Sequence, residues 1–310
     1  MLDPEMARIL DALKDIKPME EMTLEELRAF LAPVPQDQRR PIGSVRDEMT
    51  PDGIPVRIYT PTRQSSDTLN IYIHGGGFVL GSVETHDNVA RDLCETLGAP
   101  TVSIEYRLAP EHRFPAAPDD CLAGVCWAAD NAEALGASPD RIIVSGDSAG
   151  ANLATVTCLR LRDEGGPAIA GQVLAYPVTD YHTPATQSYI DNAVGYVLTR
   201  GAMIRFWRDY LTDASERRHP HAAPLKAPDL SDMPPALILT AQFDPLRDEG
   251  EAYAERLRAD GVPVTVRRYE GLIHGFLRMT TASQRAAESL EHIRDWVKGV
   301  RDTARVPGDV

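Results

Sequence analysis

The chain has 310 residues, 43% of them hydrophobic and 25% charged, with a formal net charge of −14. That composition is ordinary for a globular protein. The acidic balance argues against nucleic acid and anionic membranes as partners, because both attract Lys and Arg surfaces. The four cysteines (Cys94, Cys121, Cys126 and Cys158) form no C-x-x-C pair and sit in apolar helical stretches, so they read as small buried hydrophobes rather than as metal ligands or a disulfide framework.

Residues 1 to 32 predict two short helices. Leu2, Met6, Ile9, Leu10 and Leu13 recur at helical spacing, and Thr23 with Glu26 three residues later forms a capping box. This start is acidic and lacks the basic and apolar regions of a secretory leader. No run approaches the length of a membrane span, so the expectation is a cytoplasmic protein. Two alternating segments around Pro51-Asp52-Gly53 then predict an antiparallel hairpin.

From there the rhythm becomes strand, loop, helix. Strand candidates are LNIYIH, PTVSIEY, RIIVSG, GQVLAYP, PALILTA and VPVTVRRY, the last ending near Tyr269. Helical stretches lie between most of them, at 85–97, 116–131, 149–163 and 247–260. Short apolar runs alternating with helices predict an α/β fold with a mostly parallel central sheet and helices on both faces. The polar and aromatic interval at about 180–230, with a helix at 199–211, interrupts the rhythm. An insertion there would lie above the carboxyl ends of the strands, where such sheets place ligands.

RIIVSGDSAGANLATV is the strongest local signal. A β-branched strand runs into Gly146-Asp147-Ser148-Ala149-Gly150 and a helix follows. This is G-x-S-x-G in the strand–turn–helix setting of a nucleophilic serine. Gly146 and Gly150 keep the sharp turn free of side chains. A serine hydroxyl needs a base and an orienting acid. Asp244 follows the strand PALILTA, and His274 follows the last strand, giving the order Ser148, Asp244, His274. Asp248 and Glu249 are rival acids, but they fall within the next helix and are expected to point away. His219 and His221 have no third metal ligand within reach of their spacing, so no metal is expected.

His74-Gly75-Gly76-Gly77 follows an earlier strand. Acyl transfer develops an oxyanion, which needs fixed N–H donors; Gly76, Gly77 and Ala149 are the candidates, with Gly75 shaping the turn. One such donor contributes about 2.7–4 kcal/mol to the transition state. That exceeds the roughly 1 kcal/mol of backbone entropy lost per glycine. Glycine is expected there because a side chain would block the acyl carbonyl. Neither a phosphate loop nor a dinucleotide fingerprint fits, since no Gly-Lys-Ser/Thr and no G-x-G-x-x-G follows.

With HGGGFVLGS, YRLAPEHRFPAAPDDC, GDSAGANLA, DPLRDEGEAYAERL and YEGLIHGF in place, the chain resembles the bacterial hormone-sensitive-lipase-like carboxylesterases of the α/β-hydrolase superfamily, in the branch whose elbow reads GDSAG. The resemblance implies an α/β-hydrolase fold with a helical cap. Residues 1–45 would form the cap's N-terminal part, and 46–310 a catalytic domain carrying a cap insertion at about 180–230. It implies a triad of Ser148, Asp244 and His274, oxyanion donors on Gly76, Gly77 and Ala149, a structural His74, and short- to medium-chain ester substrates. It also implies the absence of any cofactor and a possible homodimer. An amidase or formamidase on the same triad is the alternative enzyme, and a small-molecule receptor on the same fold the non-catalytic one. Met19, Met22, Phe30, Tyr196, Val197, Phe206 and Trp207 are the apolar candidates for the pocket walls.

Overall fold

The computed structural model describes residues 1–303. Eight strands form one sheet: β1 (Ser44–Met49), β2 (Pro55–Thr60), β3 (Leu69–Ile73), β4 (Thr101–Ile104), β5 (Ile142–Asp147), β6 (Gly171–Ala175), β7 (Ala236–Phe243) and β8 (Val264–Ile273). Their order is β1-β2-β4-β3-β5-β6-β7-β8. The predicted hairpin is β1–β2, and β2 also meets β4 antiparallel; every other pairing is parallel.

The helices are α1 (Pro4–Leu13), α2 (Leu24–Phe30), α3 (Asp87–Leu97), α4 (Ala116–Asp130), α5 (Ala149–Glu164), α6 (Gln187–Asp191), α7 (Arg200–Tyr210), α8 (Arg247–Ala259) and α9 (Gln284–Thr303). Both halves of the Thr23–Glu26 capping box are made at the start of α2. The strand period of two divides the core between the faces of the sheet. Leu69, Ile71, Ile73 and Val144 belong to the core on one face, which α4, α5 and α8 cover. Tyr72, Ile143, Val173 and Leu237 pack against α3 and α9 on the other. With both faces covered, β3 to β6 read as continuous apolar runs.

Two elements depart from expectation. β8 continues to Ile273, four residues beyond Tyr269, after a register shift opposite Ala241 and Phe243. The shift lets the strand run on through Glu270 and Gly271 and deliver His274 directly at its end. α9 follows β8 and closes one face with Ala286, Leu290, Ile293 and Val297.

The N-terminal segment and the interval at about 180–230 touch each other. The Thr199 hydroxyl donates to Glu20 at 2.9 Å, and the Arg205 guanidinium donates to the carbonyls of Met19 and Met22. α6 is tied in turn to the loop after β7. The Asn192 amide donates to the Asp244 carbonyl at 3.2 Å, and the Ser188 hydroxyl to the Pro245 carbonyl at 2.7 Å.

Candidate active site

Ser148 stands between β5 and α5 with φ 55° and ψ −119°. That region of backbone space is rarely populated by a non-glycine residue and costs about 1–3 kcal/mol. The turn survives because its neighbours are small. A Cβ on Gly146 would lie 2.3 Å from the Gly150 carbonyl oxygen, and one on Gly150 would lie 2.1 Å from that of Ile73. The Ser148 N–H donates to the Ala175 carbonyl at 2.8 Å, and the Asn152 amide bonds the Val178 and Ala222 carbonyls at 2.9 Å each. These bonds hold the first turn of α5 against the neighbouring loops.

Asp244, at the end of β7, is fully buried. One carboxylate oxygen accepts from the Leu246 N–H at 2.8 Å, and the other lies 2.7 Å from His274 Nδ1. His274 Nε2 lies 3.0 Å from Ser148 Oγ. A carboxylate only accepts, so Nδ1 carries the proton and Nε2 is free to accept from the serine hydroxyl. The edge of Tyr176 packs on the imidazole, with centroids 4.7 Å apart. The rival acids are engaged elsewhere. Asp248 accepts from the Ser188 N–H at 2.7 Å and Glu249 from the Thr179 N–H at 2.7 Å. Glu249 is buried, and burial pushes its carboxyl well above the usual range.

The glycine loop follows β3. Gly76 has φ 125° and Gly77 φ 58°, both in the region that favours glycine. The steric reason for glycine differs from the expected one. A Cβ on Gly76 would meet the Leu80 carbonyl oxygen at 1.9 Å, and one on Gly77 the Phe206 ring at 2.5 Å. Protein atoms already exclude side chains there, before any substrate enters. Among the described residues the N–H groups of Gly76 and Gly77 make no hydrogen bond. Ala149 is buried and opens α5, so its N–H has no helical carbonyl four residues back.

Asp147 joins this loop to the elbow. Its Oδ1 accepts from the Gly75 N–H at 2.8 Å and from the Tyr72 hydroxyl at 2.6 Å. His74 is fully buried and stacks between Tyr106 and His86, at 4.3 and 5.3 Å. Burial lowers its pKa from 6.5 to about 4, so the ring is neutral at pH 7, and its Nδ1 lies 2.9 Å from the Gly75 carbonyl. Burial, with the Arg278 charge adding to it, holds His86 well below the ordinary histidine range as well.

Ser148, His274, Gly76 and Gly77 face one cavity of about 100 Å³. Of the proposed wall residues, Met19, Phe30, Val197 and Phe206 line it, joined by Leu31, Leu80, Leu198 and Met279. Met22 and Trp207 do not. Trp207 is buried against Phe78, Tyr181 and Tyr210 instead. Tyr196 stacks on Phe243 and lines an adjoining cavity of about 210 Å³, which shares Met19, Phe30 and Val197 with the first. His219 and His221 pack ring against ring, and among the described residues no cluster of three or more metal-ligating side chains includes them. Sequence reasoning missed Tyr176, Asn192, Ser188, His86 and Arg278. No short-range pattern marks them, because each acts on a segment distant in sequence or on a cavity that only the fold assembles.

A serine hydroxyl hydrogen-bonded to an imidazole, itself held by a buried carboxylate, can attack a carbonyl carbon. Free N–H groups across the cavity can bind the oxygen that becomes charged. Comparison with known proteins agrees with this chemistry. The profile of a family described as having the alpha/beta hydrolase fold matches residues 70–278. The carboxylic ester hydrolase LipN of Mycobacterium tuberculosis is 44% identical over 232 residues, which are 73% of this chain and 61% of that longer relative. An ethyl acetate hydrolase of Pseudomonas putida is 39% identical over 78% of this chain and 77% of its own length. The hyperthermophilic esterase of the archaeon Pyrobaculum calidifontis superposes with a TM-score of 0.90 at 40% identity, covering 97% of this chain and 99% of that one.

Proposed function

The chain belongs to the hormone-sensitive-lipase-like carboxylesterases of the α/β-hydrolase superfamily, and on that premise we propose that it is a serine carboxylesterase hydrolysing short- to medium-chain acyl esters through an acyl-enzyme. The observation that carries the reading is the relay from Ser148 Oγ through His274 to Asp244, at 3.0 and 2.7 Å, with Ser148 and His274 facing one cavity beside two glycine N–H groups that are unpaired among the described residues.

His274 Nε2 takes the Ser148 proton as Oγ attacks the ester carbonyl. Asp244 holds the working tautomer and stabilises the imidazolium that forms. The developing oxyanion turns to the N–H groups of Gly76, Gly77 and Ala149. Collapse of the intermediate breaks the C–O bond, and the alcohol leaves with the proton from His274. Water, deprotonated by the same histidine, then attacks the acyl-enzyme, and the acid departs as Ser148 regains its proton.

The inner cavity supports a short acyl group. The adjoining cavity past Met19, Phe30 and Val197 gives room for the alcohol or for a longer chain. Residues 1–45 and the interval at about 180–230 serve as the cap, a role supported by their contacts with each other and by their share of the cavity wall. A homodimer has support only in the place of β8 as an edge strand of the sheet; sedimentation velocity tests it. Among the described residues no helix is long and apolar enough to cross a membrane.

The test is hydrolysis of p-nitrophenyl acetate by the wild type and by Ser148→Ala, with mass spectrometry of the acyl-enzyme. We expect Ser148→Ala to lower kcat by 10⁴-fold or more and to abolish the acylated species. Ester hydrolysis persisting at the wild-type rate would remove Ser148 from the mechanism.

A further inference from the structure

The cavity holds one cationic group that acyl transfer does not use. Arg278 lies in the short turn Phe276–Met279, four residues after His274, and its side chain lines the wall that also presents Ser148. Its neighbours Phe276 and Leu277 are buried and fix the turn, and its own N–H donates to the Gly275 carbonyl at 3.0 Å. Among the described residues no carboxylate lies within ion-pairing distance of this guanidinium. It makes one hydrogen bond, a long one of 3.4 Å to the Ala32 carbonyl. Arg28, which donates to the Val79 carbonyl after the glycine loop, is by contrast paired with Glu111 at 2.7 Å.

A half-buried guanidinium without a carboxylate partner, on a cavity wall it shares with Met19, Phe30, Leu31 and Val197, keeps most of its five N–H groups open to an incoming acceptor. The group that fits its planar fork is a carboxylate, through two parallel charge-assisted bonds. The cavity carries a second charge, on Asp147, but both partners of its Oδ1 are fixed within the protein. Arg278 is therefore the side of the cavity that attracts a ligand's carboxylate, which gives the cavity a polarity along its length. The field of Arg278 already reaches across it, contributing to the neutrality of His86 on the wall.

We propose that Arg278 is a specificity determinant which selects short esters bearing a free carboxylate, such as half-esters of small dicarboxylic acids. The carboxylate docks on the guanidinium while the ester carbonyl lies at Ser148. Binding replaces the weak Ala32 contact and leaves the relay untouched. The inference rests on the serine-esterase reading.

The test compares monomethyl succinate, an anion, with methyl levulinate, its neutral isostere, in the wild type, Arg278→Gln and Arg278→Lys. Charge-assisted pairing predicts that Arg278→Gln lowers the ratio of kcat/KM on the anion to that on the neutral ester by about tenfold to a hundredfold, chiefly through KM, with Arg278→Lys between the two. A ratio that stays within about twofold in Arg278→Gln overturns the assignment. Should that variant fail to fold, the wild type decides. Succinate must compete with methyl levulinate more tightly than succinamide does, and lose that advantage in high salt; equal inhibition by the two overturns the proposal. Turnover of methyl levulinate with an unchanged ratio sinks the role of Arg278 alone, whereas failure to hydrolyse either ester sinks the esterase reading beneath it.

Discussion

Asp147 links the two halves of the site, and its removal should separate activity from stability. The carboxylate is 3% exposed and receives the Tyr72 hydroxyl and the Gly75 N–H at 2.6 and 2.8 Å. Hydrogen bonds to a charged acceptor contribute about 1.5–3 kcal/mol each, and orphaning buried donors loses a similar amount. Asp147→Ala should therefore destabilise the fold by about 3–5 kcal/mol, lowering Tm by about 5–8 °C. Gly76 and Gly77 follow Gly75 directly, so a loop released at Gly75 moves both proposed donors. One donor lost from an oxyanion site lowers kcat by about 10²–10³. The expected result for Asp147→Ala is a kcat lower by at least about 10²-fold with a smaller change in KM. Asp147→Asn keeps an acceptor oxygen and should lose only about tenfold. Tyr72→Phe removes one of the two donors to Oδ1 and leaves the Gly75 bond in place, so its loss should fall mainly on stability, about 1–2 kcal/mol. The assay is p-nitrophenyl acetate turnover well below each variant's midpoint, normalised by burst titration of active sites, alongside urea unfolding. If Asp147→Ala loses stability as expected but keeps kcat within threefold, the glycine loop is positioned by something else and the reasoning fails.

Three further outcomes follow from the same contacts. Phe30→Ala should merge the 100 and 210 Å³ cavities that share this side chain and move the preferred acyl chain longer by two or more carbons; an unchanged chain-length profile refutes Phe30 as the partition. His74 sits at about 4 in the fold while the unfolded chain binds its proton near 6.5, so the unfolded state holds more protons between these values. The stability present above pH 6.5 should fall by about 3 kcal/mol towards pH 4, and His74→Gln, still able to donate to the Gly75 carbonyl, should lack that component in urea titrations at several pH values; identical pH dependence in both proteins refutes it. Burial raises Glu249 well above 4.5, so its stabilising effect is complete below that value and is lost as the pH rises, because the unfolded carboxyl ionises first. Glu249→Gln should therefore gain on the wild type between pH 5 and pH 8, and a constant difference between the two would show that Glu249 is ionised in the fold.

The parallel strands were legible because burial on both faces writes them as apolar runs, as in LNIYI and IIVSGD. The elbow was legible because backbone crowding within a few residues demands Gly146 and Gly150. Asp244 and His274 were legible by their place after strands. What escaped depends on distance in the chain. Ser188 and Asn192 steady the Asp244 loop from more than 50 residues away. Trp207 looked like a pocket wall because aromaticity reports burial without reporting which cavity a ring faces, and α7 turns it onto Phe78 and Tyr181. The end of β8 escaped because Glu270 and Gly271 look like strand breakers, whereas the register shift beside Phe243 accommodates them.

The glycine triplet is held by more than the expected cause. Room for a substrate carbonyl would be lost by a side chain only at the cavity face. In the fold each of the three positions is closed by a different protein group: the Asp147 carboxylate at Gly75, the Leu80 carbonyl at Gly76 and the Phe206 ring at Gly77. Phe206 belongs to α7, in the interval at about 180–230, so the loop is clamped from the elbow on one side and from that segment on the other. The proposed donor pair, held between two such supports, is pre-organised, which is what N–H groups need to favour the transition state over the ground state. It also means that a substitution in α7, far from Ser148 in sequence, can act on the chemical step. Phe206→Ala should lower kcat as well as change chain-length preference, where a residue that only walls the pocket would change KM alone.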